Sequence, residues 1–293
     1  MTIEWYPGHM TKARREIAEA LAGVDVVIEV VDARLPASSS NPILQKLRGN
    51  KPCVKVLNKQ DLADPGVTRA WVRHFAGQKG VVALPVEAKN RRETGAILRR
   101  CRSLAPHKGR PGRSLRVMVV GIPNVGKSTL INTLAGKGIT RVGDKPAITT
   151  CRQQVNLPNH IILDDTPGLL WPNLRDQHGA LRLAASGAIG TDAFDTVDVA
   201  CFAIAFMRQR YPEGLIRSYP FAAEEADPFL LLEAIGRRHG CLLSGGVDAT
   251  RAGEFFLRAL RGGKFGRISF EAPGEDSPEV RDEEEQAEGQ GEK

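Results

Sequence analysis

Two short segments carry the residue types needed to hold a nucleoside triphosphate. Gly121-Ile122-Pro123-Asn124-Val125-Gly126-Lys127-Ser128 has the spacing of a phosphate-binding loop: a glycine, four residues, then Gly-Lys-Ser. The run Leu115 to Val120 ahead of it reads as a buried strand, and Lys127 to Ala135 behind it reads as a helix. Backbone N–H groups of such a loop and of the helix N-terminus point at phosphate oxygens, where the helix dipole favours negative charge. Lys127 would reach the β- and γ-phosphates and act in catalysis, and Ser128 would offer its hydroxyl to Mg2+. Asn124, Val125, Gly126 and Thr129 complete the cradle. Asn58-Lys59-Gln60-Asp61 is the second segment, at the end of the strand-like run Cys53 to Leu57. Asp61 can accept from N1–H and the 2-amino group of guanine, a pair that adenine does not offer, and an unmatched carboxylate there discriminates strongly. GTP or GDP is therefore the expected ligand.

Three further stretches fit the same chemistry. Ile161 to Asp165 reads as a strand followed by Asp165-Thr166-Pro167-Gly168, which supplies a carboxylate for the magnesium shell and a glycine amide for the γ-phosphate. In Pro146-Ala147-Ile148-Thr149-Thr150, spacing selects Thr149 over Thr150 as the residue that caps the magnesium and serves catalysis. Glu87-Ala88-Lys89, after the strand Val81 to Val86, occupies the place of a loop that meets guanine O6. Leu169 follows Gly168, where many GTPases carry a water-orienting glutamine, so intrinsic turnover should be slow.

The guanine-reading segment precedes the phosphate loop. That order resembles the circularly permuted GTPases. Trp5-Tyr6-Pro7-Gly8-His9-Met10, Asp32-Ala33-Arg34 and Ser38 to Pro42 narrow the resemblance to the ribosome biogenesis GTPase A family of the YlqF/RbgA type, over residues 1 to about 270. Ala147, where glycine is usual, and Glu87, where serine is usual, depart from the pattern. The resemblance implies a catalytic contribution from His9. On its residue chemistry alone, that imidazole either positions water or hydrogen-bonds locally. Asn124 resembles the loop asparagine of potassium-assisted GTPases, which adds K+ to the candidate cofactors. The implied function is a GTP-hydrolysing assembly factor for the large ribosomal subunit, with GTP favouring binding to ribosomal RNA and hydrolysis favouring release. A GTPase acting on another RNA such as tRNA, and a non-catalytic RNA-binding scaffold, are the alternatives.

The elements must position these groups. Thr11 to Ala22 reads as a helix and Val24 to Val31 as a buried strand. Strands alternating with helices up to Asp165 call for an α/β fold with a mostly parallel sheet. Pro106 to Ser114, basic and rich in Pro and Gly, joins the two halves of the permuted domain. Asp192 to Arg210, Pro228 to His239 and Asp248 to Leu260 show helical spacing. The expected organisation is a permuted GTPase domain over 1–172, a small all-α RNA-binding domain over 173–270 and a disordered acidic tail over 271–293.

Composition agrees. The chain has 293 residues, 42% of them hydrophobic, enough for real cores. Five cysteines, none closer than forty positions to the next, suggest a reducing cytoplasm and neither a disulfide framework nor a metal cluster. The longest apolar stretch, Val199 to Met207, is too short to span a bilayer, and the family block starts too early to leave room for a transit peptide. Residues 271–293 hold ten acidic and two basic residues, a net of −8, which leaves +15 for residues 1–270 of a chain whose total is +7. Such an excess points to RNA, with no membrane or DNA partner expected. Arg251, Arg258, Arg261, Lys264 and Arg267, in and after the last helix, are the candidates for docking it.

Overall fold

The computed structural model describes residues 15, 17–136, 153–165, 177–190 and 193–274. After a helical segment at 17–22, strand β1 (Val26–Asp32) is buried along its whole length, Glu29 and Asp32 included. Helix α1 (Pro42–Arg48) leads to β2 (Cys53–Asn58), α2 (Pro65–Ala76), β3 (Val81–Val86) and α3 (Arg91–Leu104). A tight turn at Gly109–Arg113 then delivers the chain to β4 (Leu115–Val120). Helix α4 (Lys127–Ala135) follows, and the hairpin β5 (Gln153–Leu157) and β6 (Ile161–Asp165) closes the sheet.

The six strands lie in the order β3-β2-β1-β4-β6-β5, parallel except for the β5–β6 pair. From β1 the chain moves outward to β2 and β3, then returns to the other side of β1 as β4. This reversal puts a crevice outside the carboxyl ends of the strands, where open α/β sheets bind ligands. Both nucleotide segments end on that rim: Asn58 pairs with Asp32, and β4 runs into Gly121.

The rest of the described chain is mostly helical: α5 (Gln177–Ser186), α6 (Thr196–Arg210), α7 (Pro212–Ser218), a 3-10 turn (Pro220–Ala223), α8 (Pro228–Arg238) and α9 (Ala249–Arg261). Asp195, Asp227 and Asp248 cap the N-termini of α6, α8 and α9 with their side chains, so those helices begin at clear start signals. Between α8 and α9 sits a two-strand hairpin, β7 (Leu242–Leu243) and β8 (Gly246–Val247). One apolar cluster holds strand residues such as Val30 and Val119 together with Leu183, Ile204 and Phe256 of the helical part. A second, smaller cluster packs Trp71 and Phe75 against Val31, Cys53 and Leu57.

The chain then returns to the sheet. Ile268 N donates to Leu62 O, Phe270 N to Arg34 O, and Trp71 Nε1 to Glu271 O. Glu271, expected to open the acidic tail, is buried and belongs to the folded part. No described helix is long and apolar enough to cross a membrane.

Candidate functional site

Asn58 is the keystone of the rim. Its buried side chain donates from Nδ2 to Val125 O at 2.7 Å and accepts at Oδ1 from Ala88 N at 2.9 Å, so one amide ties the phosphate loop to the guanine loop. Lys59 Nζ donates to Asn124 O at 3.0 Å and pairs with Asp32 Oδ2 at 2.9 Å. Lys59 and Asn124 both hold positive φ, 61° and 57°, a conformation that non-glycine residues adopt only when their surroundings enforce it. The strain sits where the two loops meet.

Asp32 lies beneath them, wholly buried. It takes Arg34 Nε at 2.9 Å and Nη2 at 2.7 Å in a bidentate pair. Burial alone would raise its pKa, but the charges of Arg34 and Lys59 outweigh that and hold the carboxyl well below the usual range. It stays ionised and fixes both cations.

The phosphate loop fits an anion. A Cβ on Gly126 would stand 2.3 Å from Asn58 Nδ2, and one on Gly121 2.4 Å from Val30 O, so neither position admits a side chain without displacing the loop. Gly126 opens α4 with no side-chain cap, which leaves the helix N-terminus facing the loop's concavity. Lys127 Nζ donates to Gly121 O and Ile122 O, each at 2.7 Å, and so is held over the cradle by the loop itself. Ser128 and Thr129 occupy the first turn of α4. Asp165 ends β6 beside Val119 of β4, which brings its backbone to the same rim.

In the guanine loop Asp61 is exposed, and among the described residues its carboxylate takes no hydrogen bond, while Lys89 is exposed beside the buried Ala88. Glu87 and Gln60 share one partner. Glu87 N and Gln60 Nε2 both donate to Glu93 Oε2, at 2.7 and 2.6 Å, and Asn90 Nδ2 donates to Glu93 Oε1. The Gln60 amide is thus a brace between loops. Glu93 was missed in the sequence, although Asn90-Arg91-Arg92-Glu93 has the spacing of a capping box at the start of α3. His9, Thr149 and Gly168, and the side chain of Asp165, lie outside the described residues.

A family of 50S ribosome-binding GTPases matches residues 116–227, beginning at β4 and so behind Asn58 to Asp61. Ribosome biogenesis GTPase A of Bacillus cereus is 44% identical over 290 residues, covering 96% of this chain and 98% of that protein. Its counterpart in Thermotoga maritima is 34% identical, covering 94% and 97%. The chain belongs to the ribosome biogenesis GTPase A family. Among solved structures, GNP-bound YlqF from T. maritima is 31% identical with a TM-score of 0.65, covering 90% of this chain and 99% of that one. A GDP-bound YlqF structure, also 31% identical, gives 0.64 over 88% and 99%. The reaction of the site is accordingly GTP hydrolysis.

In this family member the helical part reaches the nucleotide rim through the last turn of α5. Arg261 of α9 donates to Ala184 O at 2.8 Å and Ala185 O at 3.1 Å, Arg34 Nη2 to Ser186 O at 3.0 Å, and Asn124 Nδ2 to Gly187 O at 3.2 Å. Four successive carbonyls at the negative end of one helix are therefore satisfied from three places: α9, the Asp32-Ala33-Arg34 turn and the phosphate loop. Arg261 is spent on this cap and is not a free RNA contact, whereas Arg251, Arg258, Lys264 and Arg267 are exposed.

Proposed function

We propose that this protein is an assembly factor for the large ribosomal subunit whose GTP state favours binding to ribosomal RNA and whose hydrolysis favours release, acting in the cytoplasm. The observation that carries the reading is the cap on α5: the phosphate loop holds Gly187 O through Asn124, while α9 holds Ala184 O and Ala185 O through Arg261. A rearrangement of Asn124 with nucleotide state is thereby felt two residues from the contacts of α9. The family description, 50S ribosome-binding GTPase, supports the choice of subunit.

Within the site, Asn58 and Lys59 set the distance between base and phosphate loops, Asp61 pairs with guanine, and Lys127 neutralises phosphate charge. Ser128, Thr149 and Asp165 would hold Mg2+, which supplies charge stabilisation on the phosphate oxygens when bound. Asn124 would hold K+ through its Oδ1. Gly168 would meet the γ-phosphate with its amide, and His9 would orient the attacking water in place of the glutamine that Leu169 replaces.

The test is co-sedimentation of purified protein with large subunits through sucrose gradients. A non-hydrolysable GTP analogue should carry a larger fraction of the protein with the subunit than GDP does. Equal fractions in the two nucleotides would end the proposal.

A further inference from the structure

We infer that His239 and Phe255, flanked by Lys264 and Arg238, form a stacking platform for an unpaired nucleobase of RNA, next to the exposed Leu242–Leu243 hairpin. The inference rests on the RNA-binding reading above and deepens it.

The platform is assembled from four parts of the helical region. Tyr219, after α7, is buried and presents its hydroxyl to His239 Nε2 at 3.2 Å, which fixes the imidazole. The His239 ring, at the end of α8, stacks on Phe255 of α9 with centroids 4.0 Å apart and planes 30° apart. Both rings are partly exposed. Lys264 Nζ stands 5.7 Å from the Phe255 centroid and 5.8 Å from that of Tyr219, and Arg238 Cζ stands 5.9 Å from Tyr219. Both cations are exposed, and among the described residues neither makes an ion pair. Desolvation first, then Lys264 and Arg238, lowers the His239 pKa below its usual value, so the ring is neutral at physiological pH.

Aromatic rings beside unpaired cations suit a flipped or single-stranded base whose phosphates need neutralising. Two further features extend the surface. Arg251 and Arg258 are exposed on the face of α9 that carries Phe255, four residues before it and three after. Leu242 and Leu243 are 56% and 66% exposed, three and four residues beyond His239. An apolar pair on a glycine hairpin amid basic residues fits the edge of an unstacked base better than it fits water.

The probe is a single-stranded RNA of about 12 nucleotides, compared with an oligonucleotide of the same length carrying abasic residues in its centre. Binding to the full-length protein is read by fluorescence anisotropy across a salt series. Wild type should bind the intact RNA about tenfold more tightly than the abasic one, as expected when one base stacks. His239→Ala should erase that preference while leaving abasic binding unchanged, and His239→Phe should keep it. Lys264→Gln should weaken both RNAs and lower the log–log salt slope by somewhat less than one unit. If wild type binds both RNAs equally, the platform falls while the electrostatic reading of RNA binding stands. If it binds neither, both fall. An undiminished base preference in His239→Ala, with GDP affinity intact, also overturns the proposal.

Discussion

Asp32 and Glu271 are both buried carboxylates at the junction of sheet and helices, and their surroundings push them in opposite directions. Asp32 has two cations in hydrogen-bond contact, whereas Glu271 has Arg182 only at 3.6 Å and otherwise accepts from Ala37 N, Ser38 N at 3.0 Å and Ser38 Oγ at 2.6 Å. Burial raises the Glu271 pKa, and those bonds recover only part of it. A carboxyl whose pKa is raised on folding favours the native state while it is protonated, so this contribution is present below the unfolded value and lost as pH rises through the folded one. Asp32 has the reverse sign: its contribution holds above the usual carboxylate range and disappears only far into acid. Glu271→Gln, which can still accept from the two amides, should therefore gain stability relative to wild type as pH rises from 4 to 8, measured by urea denaturation. Parallel stability curves for the two proteins would show that Glu271 does not titrate with folding. Glu271→Ala should instead cost about 1 kcal/mol for each of the partly buried Ala37 and Ser38 N–H groups left unmatched. Asp32 stood out in the sequence because Ala33 and Arg34 follow it at the end of an apolar run. Glu271 was hidden, since it opens a run whose composition reads as solvated acid.

Among the elements, those buried on both faces were legible. β1, β2, β4 and β6 appear as apolar runs because central parallel strands bury both sides. β5 escaped notice: as an edge strand that exposes Gln154 and Asn156, Gln153–Leu157 has no such run. Helix α5 was missed too, although Ala180, Leu181, Arg182, Leu183, Ala184 and Ala185 all favour a helix, because Gly179 in its first turn and small residues on its buried face blur the apolar period. The start of α3 lies between these cases, since its capping box was readable while its second task was not. Glu93 accepts from the side chain of Asn90, the N-cap residue of its own helix, and also from Gln60 Nε2 and Glu87 N, in the two loops proposed to meet guanine. Glu93→Ala should weaken GDP binding about tenfold by calorimetric titration, because a loose loop must be ordered at the expense of binding free energy. The N-cap itself, Asn90 Oδ1 accepting from Arg92 N and Glu93 N, stays in place, so the loss of stability should come from Glu87 N left without its acceptor, about 1 kcal/mol. Glu93→Gln, retaining one acceptor, should fall between. Wild-type GDP affinity in the alanine variant would mean that the Asn58 amide alone holds the guanine loop.

At the scale of the molecule, the charge separation legible in composition acquires an address, though not the one spacing suggested. Arg251, Arg258 and Arg261 share a helical face by sequence, yet α9 turns Arg261 inward to cap α5 and leaves Arg251 and Arg258 in solvent. Spacing along one helix carries no information about which neighbour will end against it, so this division could not be read in advance. The two kinds of arginine should respond differently to reversal. Arg251→Glu with Arg258→Glu should weaken binding to ribosomal subunits and lower the log–log salt slope by somewhat less than two units, with stability and RNA-independent GTP hydrolysis unchanged. Arg261→Glu should act through the fold: it places a carboxylate at the negative end of α5 and removes donors from two carbonyls, a loss on the order of 2 kcal/mol in urea denaturation. Because Asn124 caps Gly187 O, two residues beyond the last carbonyl held by Arg261, Arg261→Glu should also shift the difference in subunit binding between GDP and a non-hydrolysable GTP analogue, an effect the double reversal lacks. A double reversal that alters the nucleotide dependence, or an Arg261 variant that preserves it, would remove the α5 cap from the route between the two sites.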